Sequence, residues 1–237
     1  MATLQGKTAL ITGGVKNLGA DIAKQLAPLG ASLALHYNSP SSKEHVAPLQ
    51  KELERIAPGI KVKFYQGDLT TEAAVEKLFA DVKRDFGRID IVVNTIGKVL
   101  KKPITEISEA EYDSMFAYVD LGCPDVCRLF LWYPLDANIS SSLRINSKSA
   151  FFILKAGAKY VEDGGKLITI VTALLAAFTG FYTSYAGSKA PVEHFTRGVA
   201  KELQGRRVSV NNIAPGPMDT RKLSRLAYRS SACGRTG

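Results

Sequence analysis

TALITGGVKNLG, residues 8–19, is the stretch on which the reading of this chain turns. Thr8 to Thr12 is a short apolar and β-branched run, the composition of a buried strand. Gly13 and Gly14 break it at once, and a helical pattern of apolar residues follows from about Leu18 to Leu29. A strand that passes through a glycine-rich turn into a helix N-terminus turns backbone N–H groups outward, where they can receive a pyrophosphate. The spacing is that of TGxxxGxG with Asn17 at the middle glycine position. Asn is the non-glycine residue that best tolerates a left-handed backbone, so the turn is expected to survive the exchange.

Outward from this turn the same two periods alternate. SLALHY (32–37), KVKFYQ (61–66), IDIVVN (89–94), KLITIVT (166–172) and RVSVNNIA (207–214) read as strands. Helical patterns lie between them, at about 42–56, 71–86, 109–117 and 147–161, with a further helix carrying Tyr185 and Lys189. Strands alternating with helices of this length build βαβ units with right-handed crossovers. The expected fold is therefore one α/β domain, a Rossmann-type doubly wound parallel sheet of six strands in three α/β/α layers. Ligands on such sheets sit beyond the carboxyl ends of the strands, where Thr12, Asp68, Asn94, Thr172 and Pro215 fall.

A chain of 237 residues, 46% of them hydrophobic, can bury one good core. The N-terminus enters a strand without a charged and apolar leader, and no apolar run approaches twenty residues, so a cytoplasmic protein without a membrane span is expected. Cys123, Cys127 and Cys233 lack metal-like companions, and neither a metal site nor a structural disulfide is expected. The net charge is +9, but Arg221, Lys222, Arg225, Arg229 and Arg235 supply five of those charges in an acid-free tail, leaving +4 for the body. Basic stripes interleaved with aromatics are missing from that body, which speaks against a nucleic-acid partner.

The second strand ends in LHYNS with no acid to bind ribose hydroxyls, and Lys16 sits inside the glycine turn. A 2′-phosphate would find Lys16, Asn38 and Ser39 as donors, which favours NADP(H) over NAD(H). Tyr185 and Lys189 stand four apart in SYAGSKA, thirteen residues after Thr172, so phenol and ammonium share one helix face. A nearby cation stabilises phenolate, and Lys189 is expected to draw the Tyr185 pKa down toward the range of a general acid/base.

With these residues in place, roughly Leu4 to Thr220 resembles the short-chain dehydrogenase/reductase family, of a fungal NADP-dependent type. The resemblance rests on the glycine turn, Asp68 in GDLT, Asn94 in VVNTIG, Asn146 in INSKSAFF, Tyr185, Lys189 and Pro215-Gly216 after the sixth strand. It implies a catalytic set in which Tyr185 exchanges a proton with the substrate oxygen and Lys189 binds nicotinamide ribose. Thr172, in place of the usual Ser, would polarise the carbonyl, and Asn146 would hold a water in a proton relay. Ser184 is a competing hydroxyl whose place beside Tyr185 should point it elsewhere. The implied cofactor-binding set is Thr12, Gly13, Lys16, Asn17, Leu18, Gly19, Asn38, Ser39, Asp68, Asn94, Gly97, Tyr185, Lys189, Pro215, Gly216 and Thr220, for NADP(H). The substrate would be a small carbonyl or alcohol metabolite. Leu174, Leu175, Phe178, Phe181 and Tyr182 suggest an apolar or aromatic one, or else fill the core or a subunit contact. Relatives are usually homodimers or homotetramers, and fungal ones often serve secondary-metabolite biosynthesis, while others resemble 3-oxoacyl reductases.

Two segments depart from the family. Tyr118 to Arg144 intervenes where one residue would normally separate EYDSMFA from Asn146, and it holds Cys123, Cys127 and the only tryptophan, Trp132. The tail 221–237 is basic and poor in apolar residues, and reads as disordered, with the last strand and the substrate-covering region missing. Ala117-Tyr118-Val119 can be encoded with GTATGT and Arg221-Lys222-Leu223 with GTAAGT, both resembling fungal 5′ splice sites. Both segments therefore read as translated introns, and a catalytically impaired chain that binds NADP(H) without turnover is the alternative outcome.

Overall fold

Six short apolar runs become strands: β1 (Thr8–Thr12), β2 (Ser32–Tyr37), β3 (Val62–Gln66), β4 (Ile91–Asn94), β5 (Lys166–Ile170) and β6 (Ser209–Ile213). All pair in parallel, in the order β3-β2-β1-β4-β5-β6. The computed structural model describes residues 3–109, 111–112 and 145–218. Thr220, the three cysteines, the 118–144 segment and the 221–237 tail lie outside the described residues, as does most of the helix expected at 109–117. The five long helices described are α1 (Asn17–Leu26), α2 (Val46–Ile56), α3 (Glu72–Phe86), α4 (Lys148–Tyr160) and α5 (Thr183–Glu202). Among the described residues no helix is long and apolar enough to cross a membrane.

Alternation along the strands builds the three layers. Ala9, Ile11, Leu33, Leu35, Ile91 and Val93 are buried in one cluster with residues of α1 and α2. Leu10, Ala34, Val92, Leu167 and Val210 are buried in another with α3 and α4. The helix-sheet approach is close: a Cβ on Gly157 of α4 would lie 2.9 Å from Leu167 Cδ2 of β5.

Helix boundaries follow local chemistry. Thr71 caps α3 by accepting the Ala74 N–H, and Gly87 closes it at φ 79°. The helix expected from Ser42 starts only at Val46, after a 3-10 stretch over Pro40–His45. An earlier start would bury Pro48 in the helix interior, where its missing N–H and its ring are not tolerated. Starting at Val46 puts it in the first turn, whose N–H groups have no helical acceptor. Pro28 likewise ends α1, and the chain turns through a 3-10 segment, Ala27–Leu29, to Gly30 at φ 88°.

At the end of the sheet opposite the strand carboxyl ends, Asp90 fastens β1 to β4. Its carboxylate accepts from the Thr8 N–H at 3.0 Å, Lys7 Nζ at 3.1 Å and two Arg88 nitrogens at 2.8 and 2.6 Å. Burial alone would raise its pKa, but the Arg88 bonds, the Thr8 amide and Lys7 outweigh that and hold it below the ordinary 3.8. Asp90→Ala should cost about 2 kcal/mol in urea unfolding, chiefly by orphaning the buried Thr8 N–H. Because the folded pKa is depressed, the part of this contribution that depends on the carboxylate charge is present above pH 3.8 and is lost as pH falls below it, so the gap between wild type and variant should narrow in acid.

Candidate active site

The glycine turn is built around close approaches. Gly13 has φ 70°, and a Cβ there would lie 2.8 Å from Thr95 Oγ1; one on Gly19 would lie 2.3 Å from the Gly13 carbonyl oxygen. Asn17 is left-handed at φ 50°, the conformation that the glycine spacing demands at this position. Lys16 is the N-cap of α1 with extended backbone and no capping side-chain bond, and the first turn of the helix carries no acid. A carboxylate here would repel phosphate; a helix N-terminus flanked by Lys16 attracts it.

Strand β1 and strand β4 are neighbours although β2 and β3 lie between them in sequence, so the strand order reverses there. Thr12 and Asn94 are register partners at the carboxyl ends of these strands, and Thr12 Oγ1 donates to Asn94 Oδ1 at 2.8 Å. The same oxygen accepts the Ile96 N–H at 3.1 Å and sets the direction of the following loop. At the end of β2, Lys16 Nζ donates to Ser42 Oγ at 3.2 Å, and Ser39 Oγ is 3.1 Å from the same hydroxyl. Lys16 and Ser39 thus meet through buried Ser42, which the sequence did not single out, and Asn38 is exposed beside them. Asp68, exposed after β3, accepts the Thr70 N–H at 3.1 Å.

On the other side of the switch point, Lys189 of α5 is 3% exposed. Its ammonium donates to the carbonyls of Ile96 at 3.1 Å and Ile170 at 3.0 Å, bridging the loop after β4 and the end of β5. Burial lowers its pKa to about 8. Gly97 makes room for it: a Cβ there would lie 3.0 Å from Lys189 Nζ. Tyr185, one turn earlier, is half-buried and packs edge-on against Tyr182 at 6.4 Å between centroids. Burial raises its pKa; a hydrogen bond with Thr172 pulls the other way, and Tyr182 adds to the rise. The downward pull expected from Lys189 gives way to a net upward shift, because burial dominates the phenol.

Thr172 is buried at the start of the 3-10 turn Ala173–Leu175, where Oγ1 also accepts the Leu174 N–H at 3.3 Å. The Pro215 carbonyl accepts the Ala173 N–H at 2.9 Å, which lays the Pro215-Gly216 segment along this turn. Asn146 lies against the loop after β4. Its side-chain amide donates to Lys98 O at 3.0 Å and Ser188 Oγ at 2.9 Å, and its Oδ1 accepts the Lys98 N–H at 2.8 Å. The side chain is a clamp on the loop after β4, so a relay water would have to use the main-chain carbonyl. Ser184 Oγ is buried without a hydrogen-bond partner among the described residues.

Of the residues after Thr172, Leu175 packs against Ala150, Val171 and Val192 and belongs to the core. Phe178 and Phe181 are exposed, and the Lys102 N–H donates to the Phe181 carbonyl at 2.8 Å, so the loops after β4 and β5 meet beside Tyr182. Phe181 has φ 72°, a costly conformation for a bulky side chain.

This fold, with a glycine turn, a switch-point crevice and a Tyr, Lys and Thr constellation, defines a dinucleotide-dependent oxidoreductase class. A family model described as short chain dehydrogenase matches residues 7–133, and one described as enoyl-(acyl carrier protein) reductase matches residues 135–232. The chain belongs to the short-chain dehydrogenase family. It is 32% identical to a hydroxynaphthalene reductase-like protein Arp2 of Metarhizium brunneum, over 99% of this chain and 77% of that protein. It is 30% identical to hydroxynaphthalene reductase arp2 of Aspergillus fumigatus, over 95% and 71% respectively. Among solved structures, a putative dehydrogenase from Burkholderia cenocepacia with bound NADP is similar with a TM-score of 0.78 and 46% identity, over 99% of this chain and 80% of that one.

Ser188, fully buried, is a site residue that the sequence reading passed over. Its hydroxyl accepts from Asn146 and donates to the Tyr185 carbonyl at 2.7 Å, joining the clamp to the helix turn that carries the phenol. Its place on the buried stripe Ser184, Ser188, Val192 and Thr196 was the available signal. Ser188→Ala should cost about 1–2 kcal/mol in chemical denaturation by leaving one buried N–H of the Asn146 amide unpaired. A loss within a few tenths of that of an exposed Ser→Ala control would contradict the network.

Proposed function

We propose that this chain is an NADPH-dependent reductase of the carbonyl of a small apolar or aromatic metabolite, or the alcohol dehydrogenase in reverse, serving fungal secondary-metabolite biosynthesis. The reading is carried by the Tyr185 phenol, half-buried one helical turn ahead of a lysine whose ammonium is fixed at the ends of β4 and β5, with the Thr172 hydroxyl near enough to pull against the burial that raises the phenol pKa. The names of the fungal relatives and the NADP in the Burkholderia structure support it.

The residues present fit the cofactor. The turn admits no side chain at Gly13 or Gly19, and Lys16, Ser39 and Ser42 gather basic and hydroxyl donors where an acid would select NAD(H). Thr12, Asn17, Leu18, Asn94 and Gly97 shape the phosphate and nicotinamide side, Asp68 the adenine side, and Asn38, Pro215, Gly216 and Thr220 complete the set. NADPH, when bound, supplies a hydride.

Tyr185 donates its proton to the carbonyl oxygen as that oxygen gains negative charge, and burial keeps the proton on the phenol at neutral pH until then. Thr172 offers a hydroxyl to the same oxygen, its methyl narrowing the pocket relative to Ser. Lys189, with two of its three N–H groups on carbonyls, has one left for a ribose hydroxyl. Exposed Phe178 and Phe181 favour an apolar or aromatic ring at the mouth.

NADPH oxidation should be measured over a panel of aromatic ketones, quinones and 3-oxoacyl thioesters, with NADH as control. Turnover with NADPH exceeding that with NADH, and a loss of about 10²–10⁴-fold in Tyr185→Phe with unchanged folding, is the expected result. Binding of NADPH without turnover on any member would favour the catalytically silent alternative, and undiminished activity of Tyr185→Phe would remove the assignment. The 118–144 and 221–237 segments we ascribe to retained introns. Sequencing the spliced transcript should show Ala117 joined directly to Ile145 and a different sequence after Thr220; genomic DNA lacking GTATGT and GTAAGT at these codons contradicts this.

A further inference from the structure

We propose that His36 is a positioning residue for the cofactor site, its imidazole tying the glycine turn after β1 to the loop after β3 so that the two sides of the dinucleotide site are held at a fixed separation. It sits near the end of β2, between β1 and β3, and is 1% exposed. Its Nε2 is 2.8 Å from the Gly67 carbonyl oxygen, one residue before Asp68. A carbonyl only accepts, so Nε2 carries the proton and Nδ1 is the acceptor. Nδ1 in turn faces the Gly13 N–H at 3.4 Å, within the turn that Gly19 packs against.

The backbone repeats the connection. The Gly14 N–H donates to the His36 carbonyl at 2.8 Å, and the Gly67 N–H to that of Tyr37 at 3.1 Å. Strand packing alone does not require a histidine: Leu33, Ala34 and Leu35 fill the neighbouring positions with apolar groups. An apolar side chain at 36 would leave the Gly67 carbonyl and the Gly13 N–H without their ring partner, and both belong to loops whose spacing must match a rigid ligand. Burial holds the imidazole pKa at about 4 against the upward pulls of the Gly67 carbonyl bond and of Asp68, so the neutral ring that this geometry needs is the one present at neutral pH.

The inference rests on the cofactor reading above, and its test is read first on the ligand-free protein. Long-range proton-nitrogen NMR of the wild type should show His36 in the Nε2–H tautomer. NADPH dissociation constants are then compared for wild type, His36→Gln, which can reach Gly67 but not Gly13, and His36→Asn, which can reach Gly13 but not Gly67. Each variant should weaken NADPH roughly tenfold, the worth of one buried hydrogen bond, raising the KM for NADPH while kcat at saturation stays within about twofold. An Nδ1–H tautomer overturns the proposal, as do folded variants that bind NADPH within about twofold of wild type. Should both variants fail to fold, the tautomer decides.

Discussion

A lysine ammonium buried among the ends of β4 and β5 is the constraint around which the site is arranged. Taking a cation out of water costs several kcal/mol unless dipoles replace the solvent, and here the carbonyls of Ile96 and Ile170 do so. Those carbonyls exist in the right place only if β4 and β5 are adjacent and in parallel register, and the ammonium has its full room only because Gly97 in the loop after β4 carries no side chain to crowd it. In return Lys189 fixes the rotation of α5 against the sheet. Tyr185, one turn away, inherits its position from that rotation.

The second half of the site is held from the opposite direction. Asn146 grips both main-chain polar groups of Lys98, and Ser188 passes that grip to the turn of α5 that carries Tyr185. The loop after β4 is therefore fixed by Asn94 at its start, Lys189 at Ile96 and Asn146 at Lys98. Such a network presents the phenol, the threonine hydroxyl and the remaining lysine proton without reorganisation, which is where catalytic electrostatics gains its advantage.

The six strands and the three layers were legible because they depend on period and punctuation: apolar runs of five or six residues, Gly13 and Gly14, and helices of ten or more. Asn17 was legible for the same local reason. What could not be read depends on partners distant in sequence. The pKa of Tyr185 moves up because of burial, which spacing on one helix does not reveal. The side chain of Asn146 is consumed by a loop 48 residues away, and Ser42, Ser188 and His36 gain meaning only once β1, β2 and β3 are side by side and α5 is docked. Pro48 is a different case, since its effect on the start of α2 was local and visible.

In the proposed mechanism Tyr185, Thr172 and Lys189 converge on one reacting carbonyl beside NADPH. A crystal structure with NADPH and an unreactive ketone analogue tests it most directly. The analogue oxygen should lie within hydrogen-bond reach, about 2.6–3.2 Å, of both the Tyr185 phenol and the Thr172 hydroxyl, with Lys189 on the nicotinamide ribose. A ketone oxygen out of reach of Tyr185, or a dinucleotide bound away from the Gly13 turn, would contradict it.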